Sequence, residues 1–303
     1  MNRQQEKTGV IFVLIEAVMW GMFPVLVNRG VHDIPPMLFA AITTILASIG
    51  AFIYTALNGK ISELKNKKSY ASLIMVTLCI VIIPYILFFI GTGMTSGINS
   101  SMLLLSEIIF TLLFTPFIGE KTTSQKLIGA LGVFIGAVII SYNGGSINIG
   151  DILIILSTAT YPIGNFYAKK ALNNVSPSVI LFVRFFLGGI FILAVSFLLE
   201  PSADIIGIFS KNIYTILFTG LILLGLSKII FYEGLKRLDI SKAISIANTF
   251  PVFSLIFLMA FYKEIPTVQQ FIGILIMLIG LIFAIKRQSA DPTTTKYAVE
   301  IDL

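Results

Sequence analysis

Cysteine, histidine and charged side chains are all scarce in this chain of 303 residues. It contains one cysteine, Cys79, and one histidine, His32. A single cysteine cannot form an intramolecular disulfide or a cysteine-based metal site, and a single histidine cannot build a multi-histidine metal centre. A glycine-rich loop ending in Lys-Ser or Lys-Thr is also missing, which excludes a P-loop ATP-driven pump. We therefore expect no cofactor, no metal and no enzymatic activity.

The low charge content points to the membrane. Charged residues make up 12% of the chain and hydrophobic residues 56%, with a mean hydropathy of +0.96. A soluble domain carries about 25% charged residues. The composition predicts a multi-pass protein of the cell (plasma or inner) membrane, with the lipid bilayer as a partner. The net charge of +6 does not indicate nucleic-acid binding, because its distribution follows membrane topology.

Apolar runs long enough to span a bilayer, about 20 residues each, alternate with short polar stretches such as Asn58-Gly59-Lys60. The first run exceeds signal-peptide length and has no small-x-small cleavage site, so we predict a retained helix. The predicted fold is an all-α integral membrane protein with ten transmembrane helices, followed by a polar tail over 287–303. The predicted spans are 9–28, 35–57, 70–91, 97–117, 124–142, 150–171, 177–199, 212–235, 242–262 and 266–286.

The distribution of lysine and arginine predicts the orientation, because cytoplasmic loops carry the excess of positive charge. With the N-terminus inside, the outer segments carry Arg29, Lys211 and Lys263, and Arg184 and Lys228 lie within helices. The bias predicts that both termini are cytoplasmic. The inner segments then carry Arg3, Lys7, Lys60, Lys65, Lys67, Lys68, Lys121, Lys126, Lys169, Lys170, Lys236, Arg237, Lys242, Lys286, Arg287 and Lys296.

A repeat with an offset of 144 positions organises the chain. Over 117–136, nine positions are identical to 261–280 without a gap, among them Glu120 with Glu264. The repeat predicts two five-helix units over 9–142 and 150–286. Five helices are an odd number, so the second unit must enter the membrane inverted. Inverted repeats are typical of secondary transporters, in which the solute site lies near the midplane between the halves.

Several motifs together resemble one known family. They are Trp20-Gly21-x-x-Pro24, the spacing from Pro177 to Arg184, and the twin sets Glu120, Gln125, Gly129, Gly136 and Glu264, Gln269, Gly273, Gly280. On these residues the chain resembles the EamA-like transporters of the drug/metabolite transporter superfamily. The resemblance spans about residues 9 to 286. It implies ten helices, a central cavity lined mainly by helices 1, 3, 4, 6, 8 and 9, and export or exchange of small solutes.

Glu16 is the leading candidate for proton or cation coupling. An ionisable side chain costs about 2.5–3.5 kcal/mol at the centre of a membrane helix on insertion scales, so such residues are functional candidates. Glu16 shares a helix face with Trp20, four residues on. Apolar surroundings disfavour a charged carboxylate, which lets the group exchange a proton near neutral pH. The alternative is a static ion pair with Arg184 or Lys228.

Glu107 is the second coupling candidate, and it stands where the second repeat has Pro251. Its alternative role is a buried counter-ion for Lys228 or Arg184. Either cation is a candidate for binding a solute carboxylate, which arginine can hold with two parallel hydrogen bonds. Two acids and two bases in one half of the membrane favour an amino acid or another zwitterion as solute.

The remaining candidates for substrate binding are aromatic or polar residues within helices. Aromatic rings can contact apolar or cationic solutes, whereas packing is the alternative role. The glycines of the twin motif are predicted to permit close helix approach, either between the halves or in a dimer. Glu120 and Glu264 are predicted to cap helix N-termini. The substrate-binding candidates, with the two cations, are Trp20, Tyr161, Asn165, Arg184, Lys228 and Asn248.

These observations predict a secondary transporter for a small metabolite, such as an amino acid, amine or drug-like solute. It would work by alternating access as a monomer or homodimer, as a proton-coupled exporter. Within transport, the alternatives are an uncoupled facilitator and an anion or nucleotide-sugar-type exchanger. A non-transporting structural membrane subunit is the alternative from another class.

Overall fold

The computed structural model describes residues 3–118, 123–143, 146–201, 204–238, 243 and 246–285. Glu120 and the predicted tail lie outside these residues. The described chain is built from helices, as expected for an all-α membrane protein. Eight of them are long and apolar enough to cross a membrane: α1 (Gln4–Gly30), α2 (Pro36–Leu57), α3 (Lys67–Thr92), α4 (Gly97–Phe117), α5 (Ser124–Ser141), α6 (Ile149–Leu172), α7 (Pro177–Leu199) and α8 (Ile205–Leu235).

Two shorter apolar helices follow, α9 (Phe250–Tyr262) and α10 (Val268–Ile285). Two-residue strands, β1 (Tyr142–Asn143) and β2 (Ser146–Ile147), pair antiparallel between α5 and α6. The eighth helix begins at Ile205, before the predicted start at residue 212. Its earlier start follows from Asp204, whose carboxylate accepts a hydrogen bond from the Gly207 N–H at 3.0 Å and so caps the first turn.

Several spans that the sequence predicts as continuous helices are interrupted near their centres. Short π-helical segments occupy Thr77–Ile82 in α3 and Phe218–Leu226 in α8. A 3₁₀ turn covers Leu103–Ser106 in α4, and a turn at 158–160 breaks α6. Such irregular segments inside helices often mark functional sites. Glu107, Tyr161 and Lys228 each follow one of these breaks within two residues, so the interruptions position the candidate side chains.

Two antiparallel helix pairs join the halves of the chain. α2 packs along α7, where a Cβ on Gly189 would lie 2.7 Å from the Ile45 side chain. α5 packs along α10 with facing glycines: a Cβ on Gly280 would lie 2.7 Å from the Gly129 carbonyl oxygen. The twin-motif glycines therefore allow a close approach between the halves of one chain, as the sequence predicts.

The bundle has two ends, at which the helices begin and finish. α1 and α3 finish, and α4 and α6 begin, at the end that we call the Arg29 end. The opposite end, at which α8 finishes, is called the Lys236 end. A core of buried aromatic side chains lies between them, with the Phe23 ring 5.9 Å from the Phe88 ring and the Phe39 ring 5.6 Å from the Phe89 ring.

Candidate functional site

Four charged side chains from four different helices converge in the bundle. Lys228, on α8, interacts electrostatically with Glu16 of α1, Arg184 of α7 and Glu107 of α4. Two of the helices belong to the first half of the chain and two to the second. The charged cluster, which we define as these four residues, therefore lies between the halves.

Glu16 and Lys228 form a direct ion pair inside this cluster. The Lys228 Nζ donates a hydrogen bond to Glu16 Oε1 at 2.7 Å, and the Glu16 side chain is only 2% exposed. The same ammonium lies 3.5 Å from the centroid of the Trp20 ring, which stacks on Phe23 at 4.6 Å. Among the described residues, Glu16 Oε2 is buried and has no hydrogen-bond donor. The pairing corresponds to the static role that the sequence left open for Glu16.

Glu107 faces α6. Its Oε1 accepts a hydrogen bond from Asn165 Nδ2 at 3.4 Å, a long contact, and its charge also acts on the Tyr161 hydroxyl. Asn165 is exposed although it lies opposite α4. Glu107 is therefore more weakly held than Glu16, and the Asn165 side chain beside it is exposed on the bundle surface.

Arg184 has a buried hydrogen-bond donor that is not used within the described residues. Its guanidinium carbon lies 4.8 Å from the centroid of the Phe185 ring, and its charge acts on Tyr85 and Tyr161. Its Nε is buried and without an acceptor among the described residues. Since a guanidinium offers donors in a planar fork, an anionic group can be held here.

Asn248 is the candidate that the structure does not join to this cluster. It lies in the turn directly before α9 and is half-buried. Within the part of the chain that the structure describes, no hydrogen bond links it to the four charged residues. Trp20 and Asn165, in contrast, each interact with one of them, and Tyr161 interacts with two, Glu107 and Arg184.

A polar layer that the sequence did not predict closes the Arg29 end. Asp151, at the start of α6, is fully buried. It accepts hydrogen bonds from Thr95 Oγ1 at 2.5 Å and from Asn99 Nδ2 at 2.9 Å. Gln270 Nε2 in turn donates to Asn99 Oδ1 at 2.8 Å. The signal was a carboxylate in the first turn of a predicted membrane helix.

Glu264 completes the closure of this end. It forms an ion pair with Arg29, and its Oε1 accepts a hydrogen bond from the Ile98 N–H at 3.0 Å. Glu264 thus caps a helix, as predicted, but the helix is α4 of the other half. The Arg29 guanidinium also stacks on the Tyr262 ring at 4.8 Å.

The arrangement combines carboxylates, cations and aromatic rings between the two halves of the chain, with a hydrogen-bonded polar layer at its Arg29 end. Carboxylates bind ammonium groups or protons, and the guanidinium binds anions. No group of three or more His, Cys, Asp or Glu side chains suited to a metal ion occurs among the described residues.

Comparison with known proteins agrees with this architecture. Residues 7–142 and 148–286 each match the model of the EamA-like transporter family. "Uncharacterized transporter YoaV" of Bacillus subtilis is 24% identical over 285 residues, covering 90% of this chain and 94% of that protein. A "Probable amino-acid metabolite efflux pump" of Escherichia coli is 26% identical over 176 residues, 55% of each chain.

A solved crystal structure shares the fold, with a TM-score of 0.66 and 16% identity over 92% of this chain and 97% of that one. The two family matches cover most of the sequence, one in each half. A multi-pass protein of the cell membrane with these relatives is a transporter of small solutes. The chain belongs to the EamA-like transporter family.

Proposed function

We propose that the protein exports a small metabolite by alternating access, coupled to protons. The solute is an amino acid, an amine or a related drug-like molecule. The observation that carries the proposal is the charged cluster, which four helices from both halves build between themselves. Its closure at the Arg29 end, together with the exposed Asn165, fits a state open toward the Lys236 end.

Ten membrane crossings in two inverted five-helix repeats, 9–142 and 150–286, are part of the proposal. Two packing relations support it. The antiparallel pairs α2 with α7 and α5 with α10 each join equivalent helices of the two halves. At the α5–α10 contact, Gly129 faces Gly280 and Gly136 faces Gly273, an exchange expected of a two-fold axis in the membrane plane.

The positive-inside rule assigns the Lys236 end to the cytoplasm, and both termini with it. In this orientation the Arg29–Glu264 pair closes the outer side, and the charged cluster receives solute from the cytoplasm. Export then requires that the outer closure opens while the cytoplasmic side closes.

We assign the coupling role first to Glu107 and second to Glu16. Glu16 already has a full countercharge in Lys228 at 2.7 Å, whereas Glu107 has the long contact with Asn165. A carboxyl with a weak partner next to an exposed side chain is the better proton carrier. The open Arg184 Nε is suited to a solute carboxylate. Trp20, Tyr161, Asn165 and Asn248 are proposed as further substrate contacts.

The amino-acid class has separate support from the name of the Escherichia coli relative, an amino-acid metabolite efflux pump. That protein matches over about half of either chain, and the pairing of acids and bases in the cluster gives the main support for this class. An ammonium group matches the carboxylates, and a carboxylate matches Arg184.

Proteoliposomes that contain a pH-sensitive dye test this function. Amino acids, amines and small organic anions are applied in turn to the wild type, Glu107→Gln and Glu16→Gln. Asp33→Asn, at an exposed loop carboxylate, is the matched control. We expect solute-driven pH changes in the wild type and the control. In Glu107→Gln the rate of the pH change should fall at least about tenfold, which corresponds to about 1.4 kcal/mol of activation free energy.

The other outcomes separate the alternatives. A larger loss in Glu16→Gln than in Glu107→Gln would move the coupling role to Glu16. Solute movement without a pH change would indicate a facilitator or an exchanger. Failure of the wild type to move any of the three solute classes would contradict the proposal.

A further inference from the structure

The ammonium of Lys228 lies in a cage that matches the chemistry of a ligand site. Glu16 Oε1 accepts its hydrogen bond at 2.7 Å, and the ammonium lies over the Trp20 ring, 3.5 Å from the ring centroid. A carboxylate combined with an aromatic face is how proteins recognise ammonium ligands. Here the occupant is a side chain of the protein itself.

We propose that this Glu16–Trp20 cage binds the ammonium group of a solute, and that Lys228 is a tethered ligand which the solute displaces. The inference rests on the proposed solute site, because it specifies which group of the solute enters the cage. It predicts that the transported molecule carries an ammonium group.

The cage can accept a second ammonium ligand without being rebuilt. Glu16 Oε2 is buried and, within the described residues, has no hydrogen-bond donor. A buried carboxylate oxygen without a donor is costly. An arriving ammonium that donates to Oε2 relieves this cost while Lys228 still holds Oε1, so exchange can proceed through a shared state.

A second carboxylate, Glu107, can pair with Lys228 once the lysine leaves Glu16. The Lys228 ammonium interacts electrostatically with Glu107, the second carboxylate of the cluster. The lysine follows the π-helical segment Phe218–Leu226, where the regular helix hydrogen bonds are interrupted. Its side chain is 19% exposed, in contrast to the 2% of Glu16. Displacement from Glu16 toward Glu107 keeps the charge paired.

The lysine is not required by the repeat. With the offset of 144 positions, the first-half counterpart of Lys228 is Pro84. Both residues follow a π-helical segment, Thr77–Ile82 in α3 and Phe218–Leu226 in α8. The first-half irregularity stands beside Pro84, which lacks a backbone N–H, so it forms without a lysine.

A tethered ammonium competes with a free one. A ligand on a short flexible tether acts at an effective concentration of about millimolar or higher. Removing the tether's charge should therefore tighten the binding of a free ammonium at the same cage. The expected change is a fall of at least about tenfold in the half-saturating concentration, which corresponds to about 1.4 kcal/mol.

Trp20 is the single tryptophan of the chain, so its fluorescence reports on the cage directly. The purified full-length protein is titrated with n-butylammonium, which resembles the lysine side chain. We expect a saturable change in Trp20 emission at a high probe concentration in the wild type, and at a concentration at least about tenfold lower in Lys228→Met. Lys228→Arg should resemble the wild type, because a cation remains in place.

Two controls define the site. Lys236→Met removes a lysine on the same side of the bundle that pairs with Glu233 at 2.7 Å, and it should leave the half-saturating concentration unchanged. Adding Glu16→Gln to Lys228→Met should abolish the gain. If Lys228→Met does not fold, Lys228→Gln replaces it.

Equal half-saturating concentrations in the wild type and Lys228→Met would overturn the proposal, and so would a gain that survives Glu16→Gln. The titration measures binding without transport. A cage that behaves as expected in a protein that moves no solute would contradict the proposed function alone. Transport without the tightening would contradict the cage alone.

Discussion

Glu63 and Glu200 form reciprocal caps: each follows one helix of the α2–α7 pair and caps the start of the other helix. Glu200 directly follows α7, and its two carboxylate oxygens accept hydrogen bonds from the Met37 and Leu38 N–H groups at the start of α2, each at 2.8 Å. Glu63 follows α2, and its Oε2 accepts from the Ser176 N–H at the start of α7 at 2.6 Å. This reciprocity ties the second helix of one half to the second helix of the other.

Removing the Glu200 cap should destabilise the protein. Its carboxylate makes two charge-assisted bonds to a helix N-terminus, and hydrogen bonds to charged groups contribute about 1.5–3 kcal/mol each. We expect Glu200→Ala to lower the unfolding temperature by several degrees. Cys79 is buried and is the single cysteine of the chain, so a thiol-reactive dye reports unfolding. Glu200→Gln, which keeps one acceptor, should lose less, and equal losses would contradict the role of the charge.

The Glu63 cap should be sensitive to acid. Burial alone would raise the pKa of Glu63, but hydrogen bonds from Ser176 and Lys60 outweigh it and lower this pKa. A carboxyl with a lowered folded-state pKa contributes stability above its unfolded pKa of about 4.3. That stability is lost as the pH falls through the lowered value.

The test compares the wild type with Glu63→Gln. The thiol-reactive dye at Cys79 measures the unfolding temperature of each protein at a series of acidic pH values. The wild type should unfold at a higher temperature near neutral pH, and the difference should shrink as the pH falls below about 4. A difference that stays constant over this range would mean that the ionised carboxylate does not carry the cap.

The apolar runs and the repeated glycines made the helices and one close helix contact predictable. Apolar runs bounded by polar turns predict the spans, and the twin glycines predict a close helix contact, which the structure forms between α5 and α10. Pro84 and Pro162, which lack a backbone N–H, follow the breaks at Thr77–Ile82 and 158–160, whereas Leu103–Ser106 lies in an apolar run without a distinguishing signal. π-Helical and 3₁₀ turns depend on packing, which single-sequence patterns do not reveal.

The sequence did not predict which residues pair with the buried carboxylates. Glu16 had two possible cations, Arg184 and Lys228, and only the packing of α1 against α8 selects Lys228. The sequence does not distinguish Asp151, because a carboxylate in a first helical turn suits the helix dipole without any tertiary contact. Its burial depends on Asn99 and Thr95, more than 50 residues away.

Small volume changes between α5 and α10 should be poorly tolerated. A Cβ on Gly280 would lie 2.7 Å from both the Gly129 carbonyl oxygen and the Val133 nitrogen, whereas a Cβ on Gly50 of α2 would meet nothing within 4 Å. Overpacking costs about 1–3 kcal/mol. We expect Gly280→Ala to lower the unfolding temperature and Gly50→Ala to keep or raise it. Similar effects of the two substitutions would contradict this tight contact.

The Arg29–Glu264 closure should not survive a charge reversal. Glu264 pairs with Arg29 and also accepts the Ile98 N–H at 3.0 Å, at the start of α4. Arg29→Glu combined with Glu264→Arg would restore an ion pair but place a cation at a helix N-terminus, where it is disfavoured. We expect faster amide hydrogen exchange over 97–100 in Glu264→Gln and in the reversed pair, and a smaller increase in Arg29→Gln.

Recovery of slow exchange in the reversed pair would mean that the Arg29 end is held by charge pairing alone, without the cap. A further control is Glu233→Gln at the Lys236 end, which removes the partner of Lys236. It should leave exchange over 97–100 unchanged, because it lies at the opposite end of the bundle.

Arg184 should decide whether solutes need a carboxylate. Its buried Nε has no acceptor among the described residues, and its guanidinium carbon lies 4.8 Å from the Phe185 ring. An amino acid and the amine formed by its decarboxylation differ only in the group that Arg184 would bind. We expect the wild type to prefer the amino acid in liposome transport, and Arg184→Met to lose at least about tenfold of that preference. Arg184→Lys keeps the charge but not the planar fork, so it should retain part of the preference. If Arg184→Met slowed the transport of both solutes equally, Arg184 would have a structural role and would not recognise the solute carboxylate.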